Sequence, residues 1–361
     1  MTQRQASVSA AIALGLIALG SVWTEARAQA WVGDKGALDL SFDYNLAVSD
    51  KVVVDQNDVG FKDFQDAGTT THQFTLGAEY VPVKKLAFNV SLPLAILKLT
   101  GDPTINRHLG GSCNTIGCYD DGNLHATLTD LRAGARYQLL DEPFALGASL
   151  ALSVPVADYE TVGAAVAGRH LKAAHAGLGI GKLLGESAYV HLLYEFSLVE
   201  KYDKTAETKK HGQNHSDVAF TIGLRALDQR LDLHLDANGH WTHGGVNFSD
   251  FGPGLSANEM LYHDPILDED MILVGGGVGY QISNQLVVNA SARLFVDGQN
   301  TQNASVFALG FAYSFDLHGA VSPPAEEPPV AEAPADEAPA AEPPAAEPPA
   351  AEPPVAEPPA Q

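Results

Sequence analysis

Val306-Phe307-Ala308-Leu309-Gly310-Phe311-Ala312-Tyr313-Ser314-Phe315 is the segment on which the fold turns. Phe307, Leu309, Phe311, Tyr313 and Phe315 occupy every second position, with Ala308, Gly310, Ala312 and Ser314 between them. Side chains alternate across a strand, so this period builds one aromatic face and one small face. In water such a strand invites edge-to-edge aggregation. Segments upstream repeat the pattern. Leu38, Phe42, Tyr44 and Leu46 alternate with Asp39, Ser41, Asp43 and Asn45. Leu86, Phe88, Val90, Leu92 and Leu94 alternate with Asn89, Ser91 and small residues, and Phe144, Leu146, Leu150, Leu152, Val154 and Val156 with Gly147, Ser149 and Ser153. Leu231, Leu233 and Leu235 alternate with Asp232, His234 and Asp236. About twelve such segments begin near residues 38, 71, 86, 124, 143, 169, 188, 216, 230, 271, 286 and 303.

Beyond residue 28 no stretch is long and apolar enough to cross a bilayer as a helix, which takes about 20 residues. Lipid offers no partner to bare amides, so a closed barrel is the other spanning architecture. The connections favour it. Short ones at Val83–Lys85, Asp141–Pro143, Leu184–Ser187, Asp228–Gln229 and Ser283–Gln285 alternate with long polar ones. The long ones fall at Gln56–Thr70, Thr100–Asn123, Asp158–Gly168, Tyr202–His215 and Gly244–Asp270. Short turns on one rim, long loops on the other and an even strand count mark bacterial single-chain barrels. The expected fold is all-β: a closed antiparallel transmembrane β-barrel of about twelve strands over 29–319, its greasy face toward lipid.

The flanks read differently. Residues 1–28 have the features of a signal peptide: Arg4, an apolar run from Ala10 to Val22, and the small-x-small site Ala26-Arg27-Ala28. An exported barrel belongs in the bacterial outer membrane, among its lipids and lipopolysaccharide. From Pro323-Pro324 onward, Ala-Glu-Pro-Pro units recur through Glu342-Pro343-Pro344 to Glu357-Pro358-Pro359. Residues 320–361 hold nine acidic residues and no basic one, with nothing apolar enough to bury, and are expected to be a disordered tail. Both barrel ends lie on the short-turn rim, so the tail points into the periplasm and reaches on the order of 100 Å as polyproline II. The net charge of −23 argues against a nucleic-acid partner, which needs basic patches.

The terminal strand resembles the C-terminal β-signal of outer-membrane proteins, with Gly310, an aromatic three residues on at Tyr313, and another at Phe315. That resemblance implies recognition by the barrel assembly machinery. A barrel followed at once by an acidic Ala/Pro/Glu tract also looks like the front half of OmpA-family proteins, where a proline-rich linker leads to a peptidoglycan-binding domain. The likeness implies a periplasmic or cell-wall partner for the tail. It departs in strand number, the OmpA barrel having about eight, and in the cell-wall-binding domain, which does not follow before Gln361. Twelve strands of this length look like the transporter-type barrels grouped under the phenol-degradation MetA-pathway name as well.

Alternation places a set of charges on the inner face: Asp39, Asp43, Glu79, Asp130, Arg132, Arg136, Glu195, Arg225, Asp232, Asp236 and Arg293. In a pore they set a field that selects ions and small polar solutes. Zipped into arginine–carboxylate pairs, they fill the lumen of a structural envelope protein instead. A narrow passive channel and a filled barrel whose tail meets periplasmic partners both fit. Cys113 and Cys118 suit one disulfide clip in a long loop. His234, His240 and His243 lie near the ninth strand, and His211 and His215 in one loop. Spacing brings no three ligands together, so neither a metal nor another cofactor is expected. Asp264, Asp268, Glu269 and Asp270 read as a solvated charge run. Asp250, His263, His243 and Ser249 share a loop without a nucleophile motif, so no catalytic residue is assigned and no enzyme expected. Trp31, Tyr80, Phe88, Tyr137, Phe144, Tyr280 and Tyr313 fall near strand ends, as interfacial girdles do.

Overall fold

The computed structural model describes residues 30–54, 64–65, 68–100, 119–161, 163, 165–202, 211–247 and 264–317. Residues 1–29 and 318–361, and with them the expected signal peptide and tail, lie outside the described residues, as do Cys113, Cys118, Ser249, Asp250 and His263. The barrel strands are β1 (Ala37–Val48), β2 (Thr69–Val83), β3 (Leu86–Leu99), β4 (His125–Leu128 with Asp130–Leu140), β5 (Ala145–Pro155) and β6 (Ala173–Leu184). They continue as β7 (Ala188–Val199), β8 (His215–Ala226), β9 (Leu231–Thr242), β10 (Asp270–Gln281), β11 (Leu286–Gln299) and β12 (Ser305–Asp316). Each pairs antiparallel with its neighbours in sequence, and β12 pairs with β1, which closes the sheet.

Local chemistry explains the departures from simple alternation. The expected start of β6 near residue 169 moves to Ala173. His170 sits at φ 54° with its N–H donated to the Tyr159 hydroxyl at 2.9 Å, so residues 169–172 belong to the loop. β4 breaks at Thr129 because Pro93, its partner on β3, has no N–H to return; Thr129 donates to Pro93 O at 3.1 Å and takes the Val156 N–H at 3.2 Å. The short turns use left-handed backbone, with Leu227, Asp228 and Gln229 at φ 52°, 55° and 66° between β8 and β9, as tight hairpins require. Gly185 supplies the same at φ 73° between β6 and β7, where glycine adopts it without strain.

Burial is inverted relative to a soluble domain. Leu76, Leu150, Leu152, Leu235, Leu294 and Phe311 are exposed, whereas the opposite face buries Asp43, Ser91, His191, Asp236 and Arg293. A continuous exposed apolar belt is the surface that a lipid-facing barrel presents.

The long loops pack on one another. Val52, Val54, Leu171, Tyr202, Val246, Ile266 and Leu267, drawn from separate long connections, form one buried apolar cluster at that rim. A second joins Ala165 to Leu97 and Leu99, which turn inward at the upper end of β3. A small sheet ties Lys51–Val53 to Phe64–Gln65 and to Thr301–Gln302.

Candidate functional site: the inner wall

Cross-strand register carries one face around the barrel. Asp39 lies opposite Glu79 and Ser314, Asp43 opposite Thr75 and Gly310, and Ser91 opposite both Gly77 and Arg132. Arg136 is opposite Ser149, Gly177 opposite Glu195, and Glu195 opposite Asp217. Arg225 faces Asp232, while Asp236 and Arg293 flank Gly275 from either side. Each of these charges, and Asp130 with them, lies on the face opposite the leucine belt.

Several pairs form between strands that are not neighbours. Arg132 Nη2 on β4 donates to Glu195 Oε2 on β7 at 2.6 Å, spanning two strands whose inner positions include Ser149, Ser153 and Gly177. Arg136 Nη2 donates to Glu79 Oε1 on β2 at 2.7 Å. Arg293 on β11 binds Asp236 on β9, and Gly275 lies between them. A Cβ at Gly275 would stand 2.0 Å from Ala292 O and 2.8 Å from Arg293 Cγ, so the close approach of β11 admits only glycine between the pair. Long basic side chains laid over small residues thus link carboxylates around the wall. Toward the short-turn rim, Asp232 accepts from the Tyr189 hydroxyl at 3.0 Å and lies 3.0 Å from His234 Nδ1, with Arg225 above the Tyr189 ring at 5.2 Å. Asp39 accepts from Ser314.

Both ends of the lumen receive chain. At the short-turn end, Val32 N donates to Gln138 Oε1 at 2.9 Å, and a Cβ on Gly181 would meet Ala30 Cβ at 2.9 Å and Trp31 Cζ3 at 2.5 Å. Trp31 therefore lies against the inner wall, and its placement in an interfacial girdle is corrected. The run Gly177, Gly179, Gly181 on β6 was the available signal, a lane of missing side chains that lets another segment approach. At the long-loop end, Tyr159 donates to Asp130 Oδ1 at 2.6 Å, which turns the loop after β5 inward onto β4. Burial and the adjacent Asp130 carboxylate push the Tyr159 hydroxyl up, so it stays protonated and remains the donor. Hydrogen bonds from Asn123 and His125 hold exposed Asp121 at the same rim down at about 2, which keeps it ionised.

The acidic run is also corrected. Glu269 is buried, bound by Arg169 Nη2 at 3.0 Å and by Thr301 Oγ1 at 2.6 Å, and Asp270 accepts from Gln299 at 3.1 Å. The histidines regroup across strands. His240 Nδ1 lies 2.7 Å from Asp217 Oδ1 and His215 Nε2 lies 3.5 Å from Asp217 Oδ2. His243 turns away and shares a 2.6 Å hydrogen bond with Ser216. His175 sits between Ser153 at 3.0 Å and Ser197 at 2.8 Å.

No protein-family model and no curated protein matches this chain. Among solved structures it is similar to an outer membrane channel from Pseudomonas putida F1, with 15% identity and a TM-score of 0.61 over 79% of this chain and 97% of that one. The NanC porin aligns with 5% identity and a TM-score of 0.44 over 76% of this chain and 98% of that one. The first likeness shows the fold: a closed β-barrel of the outer-membrane type.

Proposed function

We propose that this chain is an outer-membrane channel whose narrow, charged interior passes small polar solutes or ions. The carrying observation is the state of the ion pairs along the inner wall. The side chains of Arg132, Glu195, Arg136 and Glu79 keep between 12% and 18% of their surface accessible inside a closed wall, whereas Arg293 and Asp236 keep 1%. Water thus reaches one side of the interior, where paired charges of both signs create a transverse field. No catalytic step enters this reading. Gly310, Tyr313 and Phe315 serve the barrel assembly machinery, and lipid and lipopolysaccharide surround the wall.

The test is single-channel conductance of the refolded chain in a planar bilayer. Steady ion-selective openings support the channel. Arg132→Glu then shifts the reversal potential toward cation preference, because a fixed positive charge becomes a negative one beside Glu195. An unchanged reversal potential makes Arg132 a strut.

A second reading rests on the chain segments at both ends of the lumen. If they hold the barrel shut, the folded protein is silent, and its role passes to the loops and to residues 320–361, extended into the periplasm toward a periplasmic or cell-wall partner in the manner of OmpA-family linkers. Deleting 320–361 leaves barrel yield and thermal stability unchanged in either case, since the tract has little to bury. Loss of folded barrel on that deletion would place the boundary wrongly.

A further inference from the structure

We propose that His215, Asp217 and His240 form a binding site for a divalent transition-metal ion, of the zinc, copper or nickel kind, on the inner wall toward the long-loop rim. His215 and Asp217 are two residues apart on β8 and so share a face, and β9 sets His240 directly opposite Asp217. Three donors thereby converge from two hydrogen-bonded strands. Their ligating atoms all lie within 4.8 Å of one another, and the two imidazole rings stand 4.8 Å apart at 41°. Tetrahedral coordination with bonds of about 2.1 Å needs donors roughly 3.4 Å apart. Asp217 stands 2.7 Å from His240 through Oδ1 and 3.5 Å from His215 through Oδ2, and donors at the 4.8 Å limit need to close by about 1.4 Å to reach that spacing.

The surroundings fit a metal better than they fit a loose string of side chains. His215 and His240 are buried, so their rotamers are fixed before an ion arrives. Thr242 Oγ1 lies 3.4 Å from His240 Nε2, on the side away from Asp217, where a second-layer group orients a ligating ring. Neighbouring charges are already engaged. Arg169, whose field reaches His215, is held by Glu269 at 3.0 Å, and Glu195, opposite Asp217, is held by Arg132 at 2.6 Å. Two imidazole nitrogens and one carboxylate make a borderline donor set, which favours zinc, copper or nickel over magnesium or calcium with their all-oxygen shells. The three ligands stand on wall strands β8 and β9, so the site does not rest on the channel reading.

The experiment titrates Co²⁺ into the refolded, metal-stripped full chain and reads its visible absorption, then displaces it with Zn²⁺. One Co²⁺ per chain with a tetrahedral-type spectrum, displaced by Zn²⁺, is the expected result. Removing a direct ligand should cost at least the roughly 100-fold upper range seen for second-layer groups, so His240→Ala and His215→Ala each weaken binding by about 100-fold or more. His240→Gln keeps a donor toward Asp217 and guards against loss of fold, which is checked by the heat-dependent gel mobility of the barrel. It too should lose the ion. His125→Ala, at the exposed Asp121 pair, should bind as the parent does. A folded parent with no Co²⁺ spectrum, or a folded His240→Gln chain with unchanged affinity, overturns the site and leaves a hydrogen-bonded His–Asp–His string.

Discussion

Replacing Arg293 with methionine lowers the unfolding free energy by about 3–5 kcal/mol, the usual cost of leaving a buried charge without its partner. Asp236 and Arg293 each keep 1% of their side-chain surface, so solvent cannot screen the carboxylate that remains. Asn238 Nδ2 still donates to Asp236 Oδ1 at 2.8 Å, one hydrogen bond in place of a cation. The double replacement Arg293→Met with Asp236→Leu recovers most of the loss, because removing both charges together is often neutral. Denaturant titration of the barrel in lipid vesicles measures both. Equal losses in the single and double variants would locate the energy in packing instead of charge.

Changing Tyr313 and Phe315 together to serine abolishes outer-membrane insertion in cells while sparing folding in vesicles. The rings pack 4.7 Å apart, and the Tyr313 hydroxyl donates to Gln285 at 2.9 Å across the last turn. An aromatic pair is worth only about 0.5–1.5 kcal/mol beyond its buried area, far below what holds a barrel together. A complete loss in the cell with a modest loss in the vesicle therefore marks a recognition defect. Normal outer-membrane yield removes the assembly signal from this strand, and equal failure in both settings makes the residues structural.

The wall was legible because a period of two survives any register. Leu38 through Leu46 or Phe307 through Phe315 announce strand and face without reference to a partner, and connection lengths then order the strands. Pairing was not legible. Arg132 meets Glu195 three strands on, and nothing in either segment fixes that offset; it follows from how far each strand slides against the next. The same slide brings His240 to Asp217 and leaves His243, only three residues later, on the other side. Glu269 looked solvated beside Asp268 and Asp270 because Arg169, which buries it, lies 100 positions away in sequence. Trp31 looked interfacial by position, and only the bare lane of β6 explains where its ring goes.

The junction of β1 with β12 is the one place in the barrel where neighbouring strands share no turn. Its ladder runs from Ala37 opposite Asp316 to Val48 opposite Ser305. Past the ladder, Gln302 Oε1 accepts from Thr69 Oγ1 at 2.6 Å and from Ser49, and Asn303 Oδ1 accepts from Lys51 N at 3.2 Å. These bonds extend the seam beyond Val48 and Ser305 into the long-loop rim. The seam is a latch. Along its whole length the ladder leaves no lateral opening to the bilayer between the first strand and the last.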